Sequence, residues 1–124
     1  MKRILLVDDN ESFRRPLAEI LRNYGYEVHT ADEGSAALKL FQSQRFDLVV
    51  TDLIMPGKEG VETIMELRRL EPDVKIIAIS GGGRIDANDY LATARMLGAA
   101  RTLVKPFDVT EILEAMGSLL DERE

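Results

Sequence analysis

The chain has no cysteine, one histidine and no long hydrophobic run. Without cysteine there is no disulfide framework, no thiolate nucleophile and no Cys-ligated metal site. Met1-Lys2-Arg3 leads into a short apolar stretch that ends in aspartates. That stretch is too short and wrongly flanked for a signal peptide or a membrane span, so the cytoplasm is the expected location and no membrane contact is expected. Basic residues are in deficit: 16 Lys and Arg against 22 Asp and Glu leave a formal net charge of −6. A nucleic-acid-binding surface needs clustered Lys and Arg, so direct nucleic-acid binding is not expected. Low-complexity tracts, internal linkers and obvious repeats are missing as well. What remains is 124 residues, 45% hydrophobic and 31% charged, which reads as one soluble globular domain over 1–124.

What is present is acid at the ends of apolar runs. Asp8 and Asp9 directly follow Ile4-Leu5-Leu6-Val7. Two adjacent carboxylates at the end of a buried strand repel each other, and burial raises the cost, so a fold keeps them most readily beside a cation. Asp52 closely follows Leu48-Val49-Val50, and Lys105 follows Leu103-Val104. Three acids and one base at strand ends point to a site for a metal and a phosphate.

Short apolar runs alternate with helical periodicity. Strands are expected over 3–7, 26–31, 47–51, 74–79 and 101–104, the second nearer a sheet edge because it is more polar. Helices are expected over 11–24, 34–43, 59–70 and 86–97, with a last one capped by Asp108. The first helix should bury Phe13, Leu17, Ile20, Leu21 and Tyr24, and Gly25 should end it. Pro16 implies a bend there or a later start. The second should turn Ala37, Leu40 and Phe41 inward, and the third Val61, Ile64, Met65 and Leu67. The fourth should stop at Gly98. The last repeats Val109, Ile112, Leu113, Met116 and Leu120 at helical spacing. Five βα units with largely apolar strands imply an α/β fold: a parallel sheet covered by helices on both faces, with right-handed crossovers. Ligands of such sheets bind beyond the carboxyl ends of the strands, where strand order reverses. Asp8, Asp9, Asp52, Ser80 and Lys105 all lie at or just past such ends and should converge.

Each residue also has a plainer reading. Asp9 or Asn10 could simply cap the first helix. Ser80, beside Gly81, could be a turn residue, and Met55-Pro56-Gly57 reads as a turn on any fold. A lone lysine is usually solvated, although Pro106 after Lys105 can hold a cis bond and aim the side chain. His29, on an edge-like strand, reads as structural or solvent-exposed. The tail Asp121-Glu122-Arg123-Glu124 reads as a solvated helix end.

Taken in order, these motifs resemble the receiver domains of two-component response regulators over the whole chain. The carriers are Asp8-Asp9, Asp52 with Met55-Pro56 and Gly60, Ser80, and Lys105-Pro106-Phe107. The resemblance implies a flavodoxin-like (βα)5 three-layer sandwich with strand order 2-1-3-4-5. It implies Asp52 as phosphoacceptor, with Lys105 and Ser80 on the phosphoryl oxygens. It implies Mg²⁺ on Asp9, Asp52 and the backbone carbonyl of Ile54, with Asp8 acting mostly through waters. The chemistry agrees: a carboxylate can attack phosphorus, and Mg²⁺ takes oxygen ligands at about 2.0–2.1 Å. The chain would be a signalling domain, enzymatic only in its own phosphorylation and slow autodephosphorylation. The phosphodonor would be a sensor histidine kinase or a histidine phosphotransfer protein, docking around Phe13, Arg14, Arg15 and Pro16. With no output domain expected after Leu120, a downstream target protein would read the face of the fourth helix, fifth strand and fifth helix.

Two positions depart from the family pattern. Receivers usually carry Tyr or Phe three residues before the lysine, where this chain has Thr102, which leaves Tyr90 as a substitute. Ser80 and Lys105 stand 25 residues apart, longer than usual, and Gly81-Gly82-Gly83 falls in the extra length. Ile54 and Gly82, each two residues past a site residue, offer little help to an attacking water, so a long-lived phosphoryl group is expected.

Three rivals share parts of this pattern. A flavodoxin-like FMN carrier would have a Ser/Thr/Gly-rich phosphate loop after strand one. A haloacid-dehalogenase-type phosphatase would space its two aspartates by one residue. A phosphorylation-independent receiver used as an interaction module usually lacks one of the acids or the lysine, and all are present here.

Overall fold

The computed structural model describes residues 1–53, 60–80, 92 and 95–120. The strands are β1 (Arg3–Val7), β2 (Glu27–Ala31), β3 (Leu48–Asp52), β4 (Ile76–Ser80) and β5 (Arg101–Val104). The helices are α1 (Glu11–Asn23), α2 (Gly34–Ser43), α3 (Gly60–Leu70) and α4 (Val109–Leu120). The expected helix over 86–97 and the tail lie mostly or wholly outside the described residues. All four strand pairings are parallel, in the order β2-β1-β3-β4-β5.

Side chains alternate across a strand, and both alternating sets are apolar here. Leu5, Val7, Val49, Ile76 and Ala78 pack with Ala37 of α2 and with Ile64 and Leu67 of α3. Ile4, Leu6, Leu48, Val50, Ile77 and Ile79 pack on the other side with Leu17, Ala18 and Leu21 of α1 and Ile112, Ala115 and Met116 of α4. β1, β3 and β4 are therefore buried on both faces, apart from the half-buried Arg3, while β2 and β5 form the partly exposed edges. The polar character of β2 correctly marked it as an edge.

Some expectations need correction. Helix α1 does not start later to avoid Pro16; it runs from Glu11 straight through it. Asn10 accepts a hydrogen bond from the Phe13 N–H at 3.3 Å, and three core side chains secure the turns beyond the proline. Tyr24 is 64% exposed because it forms the C-cap, where the helical stripe has ended; Gly25 follows at φ +95°. Met65 is exposed, and Thr63 takes a buried position beside Ile64 instead. At α4, Glu111 reaches back to accept the Asp108 N–H at 2.9 Å. β3 and β4 each end one residue later than expected, so Asp52 and Ser80 are the last residues of their strands.

Candidate functional site

Strand register assembles the site. β1 and β3 are neighbours, and Val7 pairs with Thr51, so the next residues, Asp8 and Asp52, come side by side. Asp52 pairs with Ile79 across β3 and β4. Ser80 pairs with Val104 across β4 and β5, and the Lys105 N–H donates to the Ser80 carbonyl at 2.9 Å. Four strands thus deliver Asp8, Asp52, Ser80 and Lys105 to one edge, with Asp9 adjoining.

One carboxylate oxygen from each of Asp8, Asp9 and Asp52 lies within 4.8 Å of the other two. Asp8 and Asp52 are buried and Asp9 is exposed. Asp8 is held firmly. Its Oδ1 accepts the Asn10 N–H at 2.9 Å, its Oδ2 accepts from Lys105 Nζ at 2.9 Å, and its carbonyl accepts from the Arg14 guanidinium at 2.7 Å. Lys105 Nζ also donates to Asp52 Oδ2 at 3.3 Å. The Lys105–Pro106 peptide is cis. Among the described residues, Ser80 Oγ is the buried side-chain oxygen without a hydrogen-bond partner. A buried hydroxyl normally finds a partner, so this one is poised to take one from a ligand. Three hard oxygen donors in this spacing fit Mg²⁺, which is bound through a few carboxylates and retained waters.

The lysine answers part of the acidic charge. Burial works against its ammonium form, but the hydrogen bond to Asp8 and the charges of Asp52 and Asp8 outweigh burial and raise its pKa above 10.5. A raised folded-state pKa gives stability that is fully present below the unfolded value and fades as pH rises through the folded one. In metal-free protein, stability should therefore fall more steeply above pH 10.5 for the wild type than for Lys105→Met. Urea unfolding on both sides of that pH measures the slopes, and equal slopes would count against the pairing.

Several expected residues are placed elsewhere or not described. Ile54, Met55, Pro56, Gly57, Gly81, Gly82, Gly83 and Tyr90 lie outside the described residues. Thr102 is half-buried on β5 and accepts from Arg95 at 3.0 Å. His29 sits on edge strand β2, with Nε2 2.8 Å from Glu27 and its ring edge-on to Phe46, a structural role. One contact had no signal in the sequence: the Phe13 ring lies under Lys105, with Nζ 4.0 Å from the ring centroid.

Paired acids, a lysine and a waiting hydroxyl at the carboxyl edge of a 2-1-3-4-5 parallel sheet define a receiver-type signalling domain. The model of the response regulator receiver domain matches residues 4–117, and the chain belongs to that family. Such domains serve two-component signalling, alongside histidine kinases and output domains, and are signalling modules. The chain is 43% identical over 114 residues to the response regulator receiver protein Anae109_2439 of Anaeromyxobacter, covering 92% of this chain and 47% of that protein's length. It is 33% identical to the response regulator receiver protein CpdR of Brucella abortus, covering 97% and 98%. In structure it is similar to the response regulator protein TrrA of Thermotoga maritima in complex with Mg²⁺–BeF, at TM-score 0.83 and 38% identity, covering 97% and 100%. Among the described residues, no helix is long and apolar enough to cross a membrane.

Proposed function

We propose that this chain is a phosphoacceptor switch in which Asp52 takes a phosphoryl group from a phosphohistidine of a sensor kinase or phosphotransfer protein. The observation that carries the reading is the convergence of Asp8, Asp9 and Asp52 with Lys105 and the unpartnered Ser80 hydroxyl. An Asp52 carboxylate oxygen forms the new bond to phosphorus while the phosphorus–nitrogen bond to imidazole breaks, and the departing nitrogen regains a proton. Lys105 sets its positive charge against the phosphoryl oxygens, and the Ser80 hydroxyl donates to one of them. Asp9 and Asp52, with Asp8 behind them and the Ile54 carbonyl outside the described residues, would hold Mg²⁺. The ion supplies the charge that lets two anions meet, and the Mg²⁺–BeF complex of the Thermotoga relative supports that assignment.

The donor would meet α1, where Arg15 and Pro16 are exposed and Phe13 and Arg14 half-buried. The target would read the edge where Met96 and Val104 are exposed. We take 1–124 as a single receiver unit in the cytoplasm. Incubation with acetyl phosphate and Mg²⁺, followed by mass measurement, tests the reading. One added phosphoryl group per chain is expected; an unmodified mass would leave an interaction module that needs no phosphorylation. The adduct should also be long-lived, because Ile54 and Gly82 bring no polar group to orient water. A time course after donor removal checks this, and rapid spontaneous loss would contradict it.

A further inference from the structure

We propose that Phe13 is a positioning residue for Lys105, its ring face holding the ammonium at the phosphoacceptor site; this rests on the phosphoacceptor reading above. Lys105 Nζ has Asp8 Oδ2 at 2.9 Å and Asp52 Oδ2 at 3.3 Å, and it stands 4.0 Å from the Phe13 centroid. Its side chain is only 19% exposed. The ring is itself fixed: Phe107 packs edge-on against it at 5.8 Å between centroids and 83° between planes. Phe107 follows Lys105 by two residues, so the loop that carries the lysine also carries the brace for the ring.

The chemistry explains why a ring is useful here. The electron-rich face of an aromatic ring attracts a cation, more strongly where water is excluded. That attraction has no hydrogen bond to break. With Asp52 phosphorylated and a divalent ion held by the acidic residues, the lysine would have to turn from carboxylate to phosphoryl oxygen. A carboxylate partner resists that movement, whereas a ring face tolerates it and still opposes escape to solvent. An aliphatic side chain of similar bulk would fill the space without attracting the ammonium. Position 13 would then serve two ends, its ring toward the site and its neighbours Arg15 and Pro16 toward solvent.

The test compares wild type with Phe13→Leu, Phe13→Trp and site-specific 3,4,5-trifluorophenylalanine at position 13, whose ring is similar in shape but poor in face electron density. The rate of acetyl phosphate-dependent modification should fall about five- to tenfold in Phe13→Leu and by about threefold with the fluorinated ring, and Phe13→Trp should restore it. Melting temperatures report whether each variant is folded. A fluorinated ring or a leucine that reacts at the wild-type rate would overturn the proposal. If only transfer from a kinase slowed, position 13 would be a docking residue alone. A second readout needs no phosphorylation. The ε-methylene protons of Lys105 should resonate upfield, in the ring current of Phe13, and return to ordinary values in Phe13→Leu. Ordinary shifts in the wild type would overturn the positioning role. Upfield shifts in a wild type that gains no Asp52-dependent adduct would instead show that the phosphoacceptor reading had failed while the contact stood.

Discussion

The Asp52→Asn protein should gain no phosphoryl group under conditions that modify the wild type. An amide nitrogen has its lone pair in conjugation, and an amide oxygen carries no full charge, so neither attacks phosphorus as a carboxylate does. The loss should be complete because the alternative acids are unsuited. Asp8 has both oxygens engaged, one by the Asn10 N–H and one by Lys105. Asp9 is exposed at the rim. The substitution also removes one negative charge from a cluster of three carboxylates, so Asp52→Asn should be at least as stable as the wild type in metal-free buffer. Mass spectrometry and urea unfolding on the same preparations separate these effects. An adduct of unchanged yield on Asp52→Asn would move the acceptor elsewhere.

The largest expected change in stability lies at Gly60. A Cβ there would overlap the Asp52 carbonyl oxygen and the Leu53 Cα, and would stand 2.8 Å from the Leu53 carbonyl carbon. These are backbone atoms at the end of a central strand, so they cannot swing aside. The Gly60 N–H donates to the Leu53 carbonyl at 3.1 Å, which ties α3 to β3 at the point of closest approach. Gly60→Ala should therefore destabilise by about 3 kcal/mol, the upper end for overpacking, and should displace Asp52 as it does so. Gly117, on α4, offers the contrast: a Cβ there meets nothing within 4 Å. Gly117→Ala should stabilise by roughly 0.5–1 kcal/mol through helix propensity alone. Urea midpoints for the two variants provide the comparison, and a Gly60→Ala midpoint equal to wild type would sink the argument.

Much of the architecture is legible in local pattern. Apolar runs mark β1, β3 and β4, because a strand buried on both faces has few polar positions to spare. Asp8, Asp9, Asp52, Ser80 and Lys105 are recognisable as a set because each stands at a strand's carboxyl end, and parallel strands send all those ends the same way. Helix ends are less legible. Tyr24 fits the apolar stripe of α1 by spacing but falls where the helix has stopped, and Met65 yields its place to Thr63.

Other features exist only once distant segments meet. The register Val7 to Thr51 is what sets Asp8 against Asp52, since a shift by one residue would turn one of them to the other face. The lysine lies 97 positions from Asp8 in sequence, and the choice of its partners belongs to the packing of β5 beside β4. The Phe13 ring under that lysine is of the same kind: nothing in the order of residues joins position 13 to positions 105 and 107, and only the packing of α1 against the β5–α4 connection brings them together. Residue types and spacing thus determined the parallel α/β frame and its acidic edge, because periodicity and strand direction are local properties. Which carboxylate holds the lysine, which hydroxyl waits without a partner and why position 60 admits no side chain were decided by contacts between segments far apart in the chain.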